Sequence, residues 1–151
     1  MSDSIAVTNA RMRAEEMYRS GEFLCSEAVF IVANEFLGQP VPKEMVKLAS
    51  GFPVGMGCAG CVCGALAGGV MALGLKFGRT TPGAETPGMF EASKELHERF
   101  KQRRKSVCCR VLIKKFEFGS PEHIDQCITI TGEVAADVIR ILEDDSRTKR
   151  P

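Results

Sequence analysis

Apolar residues recur at intervals of three and four along most of this chain, the spacing of helices that bury one face. Residues 4–19 form the first such run. Ile5, Ala10, Ala14, Met17 and Tyr18 make an apolar stripe, Ser4 or Thr8 can cap it, and Ser20-Gly21 ends it. A second helix is predicted from about Ser26 to Leu37, burying Ala28, Val29, Ile31, Val32, Phe36 and Leu37, with Gly38 just beyond its C-terminus. Gln39-Pro40-Val41-Pro42 then leads into a brief helix through about Ala49, with Pro42 in its first turn.

Beyond the middle of the chain the same pattern returns. Residues 79–88 are polar and turn-rich, and a charged helix is predicted over about residues 89–105, anchored by Phe90, Leu96 and Phe100. Cys108 to Phe116 reads as a short helix. Gly119-Ser120-Pro121 is a break and restart, with Ser120 as N-cap and Pro121 at the first helical position. The last helix, to about Leu142, buries Ile124, Ile128, Val134, Ala135, Val138, Ile139 and Leu142, with Cys127 on the same face. No period-two alternation marks a strand and no repeat is present. The expected architecture is all-α, a single-domain bundle of about five to seven helices over residues 1–145, with 146–151 a frayed polar tail.

The segment from Gly51 to Leu75 breaks this regularity. It has 25 residues, no charge, eight glycines and three cysteines. Its first half, with Gly55, Gly57 and Gly60, suits an irregular loop that takes positive φ and exposes backbone N–H groups. Its second half, about residues 62–77, reads as a buried central helix entered from that loop. Gly60, Gly64 and Gly68 fall four apart, so a neighbouring backbone or a cofactor is expected close to that face, with Gly64 and Gly68 against it. Pro53 and the glycines leave too short an apolar helix for a membrane span.

At 151 residues the chain can bury a core without disulfide staples, and its net charge of +1 argues against general nucleic-acid binding. The charged N-terminus has no signal-peptide pattern, so the expected setting is the cytoplasm, where seven cysteines favour metal or redox use over structural disulfides. Gly55-Met56-Gly57-Cys58-Ala59-Gly60 spells G-x-G-x-x-G, but no clear strand precedes it and no acidic residue follows before Glu85. His97 and His123 lack paired metal-ligand spacing. The basic run over Arg99, Lys101, Arg103, Arg104 and Lys105 reads as a solvated helix face. Its sharper alternative is a docking surface, near Arg99 to Arg110, for an acidic redox partner, where it would also lower the pKa of Cys108 and Cys109.

The cysteines carry the candidate chemistry. Cys58, Cys61 and Cys63 make a C-x-x-C-x-C cluster where loop becomes helix, and Cys25 stands at the start of the second helix. Helix N-termini stabilise thiolates. Together with Cys109 and Cys127, these residues are candidate ligands of an iron–sulfur cluster or another thiolate-bound metal. Cys58-x-x-Cys61 is alternatively spaced for a dithiol/disulfide couple. Adjacent Cys108 and Cys109 are expected to face different partners.

With Cys63-Gly64-Ala65-Leu66-Ala67-Gly68 at its centre, the chain resembles a bacterial and archaeal family of small redox-active proteins named for a C…CGAxxG…C…C pattern. In that resemblance the first cysteine is Cys25, the third Cys109 and the fourth Cys127, and the likeness covers roughly residues 10–142. A similar domain in split-Soret-type cytochromes implies electron transfer, and the resemblance marks Cys25, Cys63, Cys109 and Cys127 as the redox-active set. Haem is not implied, because no C-x-x-C-H is present. Cys58, Cys61 and Cys108 lie outside the four-cysteine pattern.

Three readings therefore stand open: electron transfer through a cysteine-ligated iron–sulfur or other metal centre, a metal-free thiol–disulfide protein, and a non-redox zinc or metal-binding module. No general base–nucleophile pair defines an enzymatic reaction. A homodimer is left open.

Overall fold

The computed structural model describes residues 2–148 and is all-helical, with no strand among them. Six α-helices carry the fold: α1 (Ile5–Arg19), α2 (Cys25–Phe36), α3 (Gly64–Phe77), α4 (Met89–Arg104), α5 (Cys109–Ile113) and α6 (Pro121–Glu143). Two short 3₁₀ helices, Lys43–Ala49 and Asp145–Thr148, complete it.

Helix ends follow local chemistry. The Ser4 hydroxyl accepts the Val7 N–H at 3.1 Å, and the Ser120 hydroxyl accepts the His123 N–H at 3.2 Å ahead of Pro121. α6 is the longest helix and packs along α1, α2, α3 and α4, so it is the spine of the bundle. Its inward residues Ile128, Val134, Ala135, Val138, Ile139 and Leu142 are all buried, as their spacing predicts.

α3 crosses the centre and touches α2 backbone to backbone. A β-carbon on Gly68 would lie 2.7 Å from the Ser26 Cα, so only glycine permits this approach. The same contact fixes the start of α2. The Ser26 hydroxyl donates to the Ala49 carbonyl at 2.7 Å, while the Glu27 carboxylate accepts the Leu24 N–H and the Ser50 hydroxyl, each at 2.8 Å. These bonds hold Cys25, the first residue of α2, in one position.

Some apolar positions are placed differently from their sequence reading. Phe90 is 80% exposed, because Ala92, Leu96 and Phe100, four apart, take the inner face of α4 and leave Phe90 pointing away from it. Ile5 is 81% exposed for the same reason, since Val7, Ala10, Ala14 and Met17 line the core side of α1. α3 begins at Gly64 rather than at residue 62, with Cys63 as its N-cap, and α5 ends at Ile113 rather than at 116. Of the expected frayed tail, Ser146 to Thr148 belong to a 3₁₀ turn in which Arg147 pairs with Glu95; residues 149–151 lie outside the described part.

The basic run is largely committed within the fold. Asp137 on α6, 1% exposed, receives Arg103 at 2.9 Å and Arg140 at 2.6 Å, with Arg99 at 3.6 Å, while Arg104 pairs with Glu133 at 2.8 Å. Three of the arginines expected to form a docking face thus hold α4 to α6. Lys101, Lys105 and Arg110 remain exposed.

A four-thiol cavity and a bridged loop

The loop before α3 is left-handed over five consecutive residues: Val54, Gly55, Met56, Gly57 and Cys58 have φ between 57° and 70°. Glycine adopts this conformation freely, but it costs about 1–2 kcal/mol at each of Val54, Met56 and Cys58. The turn survives because its surroundings determine it. Gly55 is enclosed by the Cys61 backbone and by the Cys109 side chain, 3.0 Å from where a β-carbon would stand, so no other residue fits there.

Past the turn, the chain runs alongside the segment that enters α5. The Cys63 N–H donates to the Val107 carbonyl at 2.8 Å and the Arg110 N–H donates to the Gly60 carbonyl at 2.9 Å. Between these two bonds Cys61 and Cys108 are joined in a disulfide, their Cα atoms 4.3 Å apart. Cys61 therefore pairs with Cys108 and not with Cys58, which overturns the C-x-x-C couple. The cause is the left-handed turn, which leaves Cys58 exposed and carries Cys61 to the neighbouring segment.

Behind this pair of segments lies an apolar cavity of about 270 Å³. Cys25, Cys63, Cys109 and Cys127 all line it, from the start of α2, the N-cap of α3, the start of α5 and the second turn of α6. Leu24, Val54, Leu112, Ile124 and Ile130 make much of the remaining wall. Gly64 also lines the cavity: a β-carbon there would sit 2.7 Å from the Cys25 sulfur. Gly68 does not reach it and serves the α2–α3 contact instead. Cys58 and Cys61, expected among the metal ligands, are likewise absent from the wall.

Two polar residues of the wall were not anticipated. The Tyr18 side chain lies beside the Cys127 thiol and favours its thiolate, although its spacing also places Tyr18 in the apolar stripe of α1. It is the only tyrosine in the chain, which was the one available signal. His123, 5% exposed, accepts the Gly119 N–H on Nδ1 at 2.9 Å and lies beside the Phe118 ring, so its proton resides on Nε2.

Burial dominates the electrostatics of the thiols. It pushes Cys63 up to about 11, against the opposing pull of the Ala65 and Leu66 N–H groups at the start of α3. Cys25 is pushed up further by burial, reinforced by Cys63 and Cys127, while the Ser26 N–H opposes. Burial also raises Cys127, with Tyr18 opposing, and raises Cys109, with Cys58 adding to it. The lowered thiol pKa values expected at these helix starts and beside the basic run are therefore not found for Cys25, Cys63 or Cys109. Desolvation outweighs the N–H groups at the starts of α2 and α3.

The donor set tests what the cavity can hold. A single zinc ion needs its sulfurs about 2.3 Å from the metal and so about 4 Å from one another. Among the described residues, no group of three or more His, Cys, Asp or Glu side chains is gathered to hold a metal ion. The four thiols instead line one shared apolar space.

No described helix is long and apolar enough to cross a membrane. No curated protein and no solved structure matches the chain significantly. A family model does match, described as putative redox-active protein (C_GCAxxG_C_C), over residues 23–141. The name spells its motif GCAxxG, whereas the chain offers Gly57-Cys58-Ala59 without the later glycine and Cys63-Gly64-Ala65-Leu66-Ala67-Gly68 with the first two letters exchanged. Cys63 is the one at the cavity and Cys58 is at the surface, so the second form is the one that coincides with the site. With this match spanning most of its length, the chain belongs to the C_GCAxxG_C_C family of redox-active cysteine proteins.

Proposed function

We propose that this protein transfers electrons through an iron–sulfur cluster held in the cavity by Cys25, Cys63, Cys109 and Cys127. The observation that carries this reading is the convergence of four thiols, from four separate elements, on one apolar space of about 270 Å³. Iron–sulfur clusters are held by four cysteine thiolates, and a bound cluster would supply a one-electron couple. A mononuclear zinc centre is less well supported, since among the described residues no three ligands are gathered around one point.

The chain's own residues have definable roles in this scheme. The Tyr18 hydroxyl favours the Cys127 thiolate, and the N–H groups at the starts of α3 and α2, of Leu66, Ala65 and Ser26, favour the Cys63 and Cys25 thiolates against the effect of burial. Such donors stabilise negative charge on sulfur and tune a centre's potential. The apolar wall excludes water, and Gly64 leaves the space that a side chain would fill. Because burial holds the thiols protonated, taking up a metal must release their protons. We place the protein in the cytoplasm, and an acidic electron partner would dock beside exposed Lys105 and Arg110.

A metal-free thiol–disulfide protein is the second reading, favoured by the Cys61–Cys108 bond. Anaerobic purification followed by an ultraviolet–visible spectrum and iron, sulfide and zinc analysis separates the readings. Sulfide-to-iron charge-transfer bands, lost when any one of the four cysteines is changed to serine, are the expected result. A colourless protein without metal would replace the first reading by the second, and stoichiometric zinc would replace both.

A further inference from the structure

Cys61 and Cys108 are outside the cavity, yet they join the two segments that build its outer wall. Residues 53–63 supply Pro53, Val54 and Cys63 to the wall, and the segment from Lys105 through α5 supplies Cys109, Leu112 and Ile113. Apart from the disulfide, two backbone hydrogen bonds cross between them, Cys63 to Val107 and Arg110 to Gly60. Both bridge cysteines are half-buried and so within reach of solvent, unlike Cys63 and Cys109 behind them. Exposed Lys105 and Arg110 flank Cys108 in the chain, favouring approach of a thiolate.

We propose that the Cys61–Cys108 disulfide is a second redox site of this protein, reduced by an external dithiol, and that it latches the outer wall of the cavity. In the reaction one thiolate of the external dithiol attacks a bridge sulfur, the bridge S–S bond breaks, and a mixed disulfide forms. The second thiol of the reductant then displaces the protein sulfur. The reductant leaves as a disulfide, and two electrons and two protons end on Cys61 and Cys108 as thiols.

The conformational consequence follows from the turn beside the bridge. Five consecutive left-handed residues persist only while their surroundings hold them, and the bridge is the covalent part of that hold. Once it is cut, only two backbone hydrogen bonds tie the loop to the α5 segment, the loop's remaining bonds lying within itself, and Cys109, the residue after Cys108, loses its cover. The bridge also suits a compartment in which lasting structural disulfides are rare, because such bonds there serve redox work. This inference shares with the cluster reading only the use of Cys109 as a cavity residue; the bridge chemistry does not depend on a bound metal.

The test uses full-length protein as purified, with dithiothreitol as reductant and iodoacetamide as thiol probe. Peptide mapping of the oxidised protein should recover Cys61 linked to Cys108. Under native conditions dithiothreitol should convert the link into two alkylatable thiols and speed Cys109 alkylation by at least about tenfold. A Cys61→Ser/Cys108→Ser double variant should show the fast Cys109 rate without reductant. If that variant does not fold, the wild-type comparison with and without reductant decides alone. Recovery of Cys61 and Cys108 as free thiols from oxidised protein, a bridge reducible only after unfolding, or a Cys109 rate changed by less than about twofold would each overturn the proposal. Iron and sulfide measured on the same samples keep the two ideas apart. Absence of a cluster removes the cluster reading and leaves the latch standing, whereas an unreactive bridge removes the latch alone.

Discussion

Cys108 and Cys109 are neighbours in the chain but serve opposite sides of one wall: Cys108 is bonded to Cys61 in the outer loop, and Cys109 is buried against the cavity. One peptide unit therefore connects a half-buried disulfide to the innermost chemistry of the protein. An adjacent pair can do this because Cys108 caps α5 in extended conformation while Cys109 is its first helical residue, which turns successive side chains apart.

The five free cysteines should differ sharply in reactivity. Cys58 is exposed, whereas Cys25 and Cys63 are held protonated by burial. In metal-free protein at neutral pH, mass spectrometry after iodoacetamide should find Cys58 modified first, at least about tenfold ahead of Cys25 and Cys63. Faster modification of either cavity thiol would show that the cavity is open to solvent in solution.

Alkaline pH should weaken the metal-free fold. Cys63 is raised from 9.0 to about 11, so the folded state prefers the protonated thiol and the unfolded chain ionises first. This contribution to stability is fully present below pH 9 and is lost as pH rises through about 11. Denaturant midpoints measured from pH 8 to pH 11 should fall more steeply for wild type than for Cys63→Ala, by roughly 2–3 kcal/mol over that range. Parallel curves for the two proteins would mean that Cys63 is not buried as a neutral thiol.

Tyr18→Phe removes the hydroxyl that favours the Cys127 thiolate and little else. The predicted effect is small on folding, about 1 kcal/mol, and specific to Cys127. With the donor gone, the Cys127 thiol should ionise at higher pH, and any bound cluster should shift to a lower reduction potential because negative charge on sulfur is less stabilised. Alkylation of Cys127 against pH, or a redox titration of the loaded protein, reads this directly. An unchanged profile in both would confine Tyr18 to packing.

Two glycines of α3 should respond with opposite signs. A β-carbon on Gly68 would meet the Ser26 Cα at 2.7 Å, so Gly68→Ala must push α2 away and is expected to cost about 1–3 kcal/mol. Gly74 has nothing within 4 Å of that position, and Gly74→Ala should stabilise the helix by about 0.5–1 kcal/mol. Thermal unfolding of the two variants checks both. Equal effects would contradict the backbone-to-backbone crossing of α2 and α3.

The helices, their caps and most of their buried faces were legible in the chain, because an α-helix has one period and polar caps act within four residues. Ser120-Pro121, Ile128, Val138 and Leu142 show this. Periodicity could not choose between two inner faces in a short or sparsely apolar run, which is why Phe90 and Ile5 are outside and Ala92 and Val7 are inside. The four cysteines of the cavity were also legible, through the family pattern, but their shared cavity was not. Its existence depends on which helix opposes which, and side-chain period says nothing about that. The same reason hid Tyr18 in an apolar stripe and paired Cys61 with a cysteine 47 residues away instead of one three residues away. It also reversed the expected thiol pKa values: a helix start can be read from neighbouring residues, but desolvation is imposed by distant elements packing over it, and here desolvation is the larger effect.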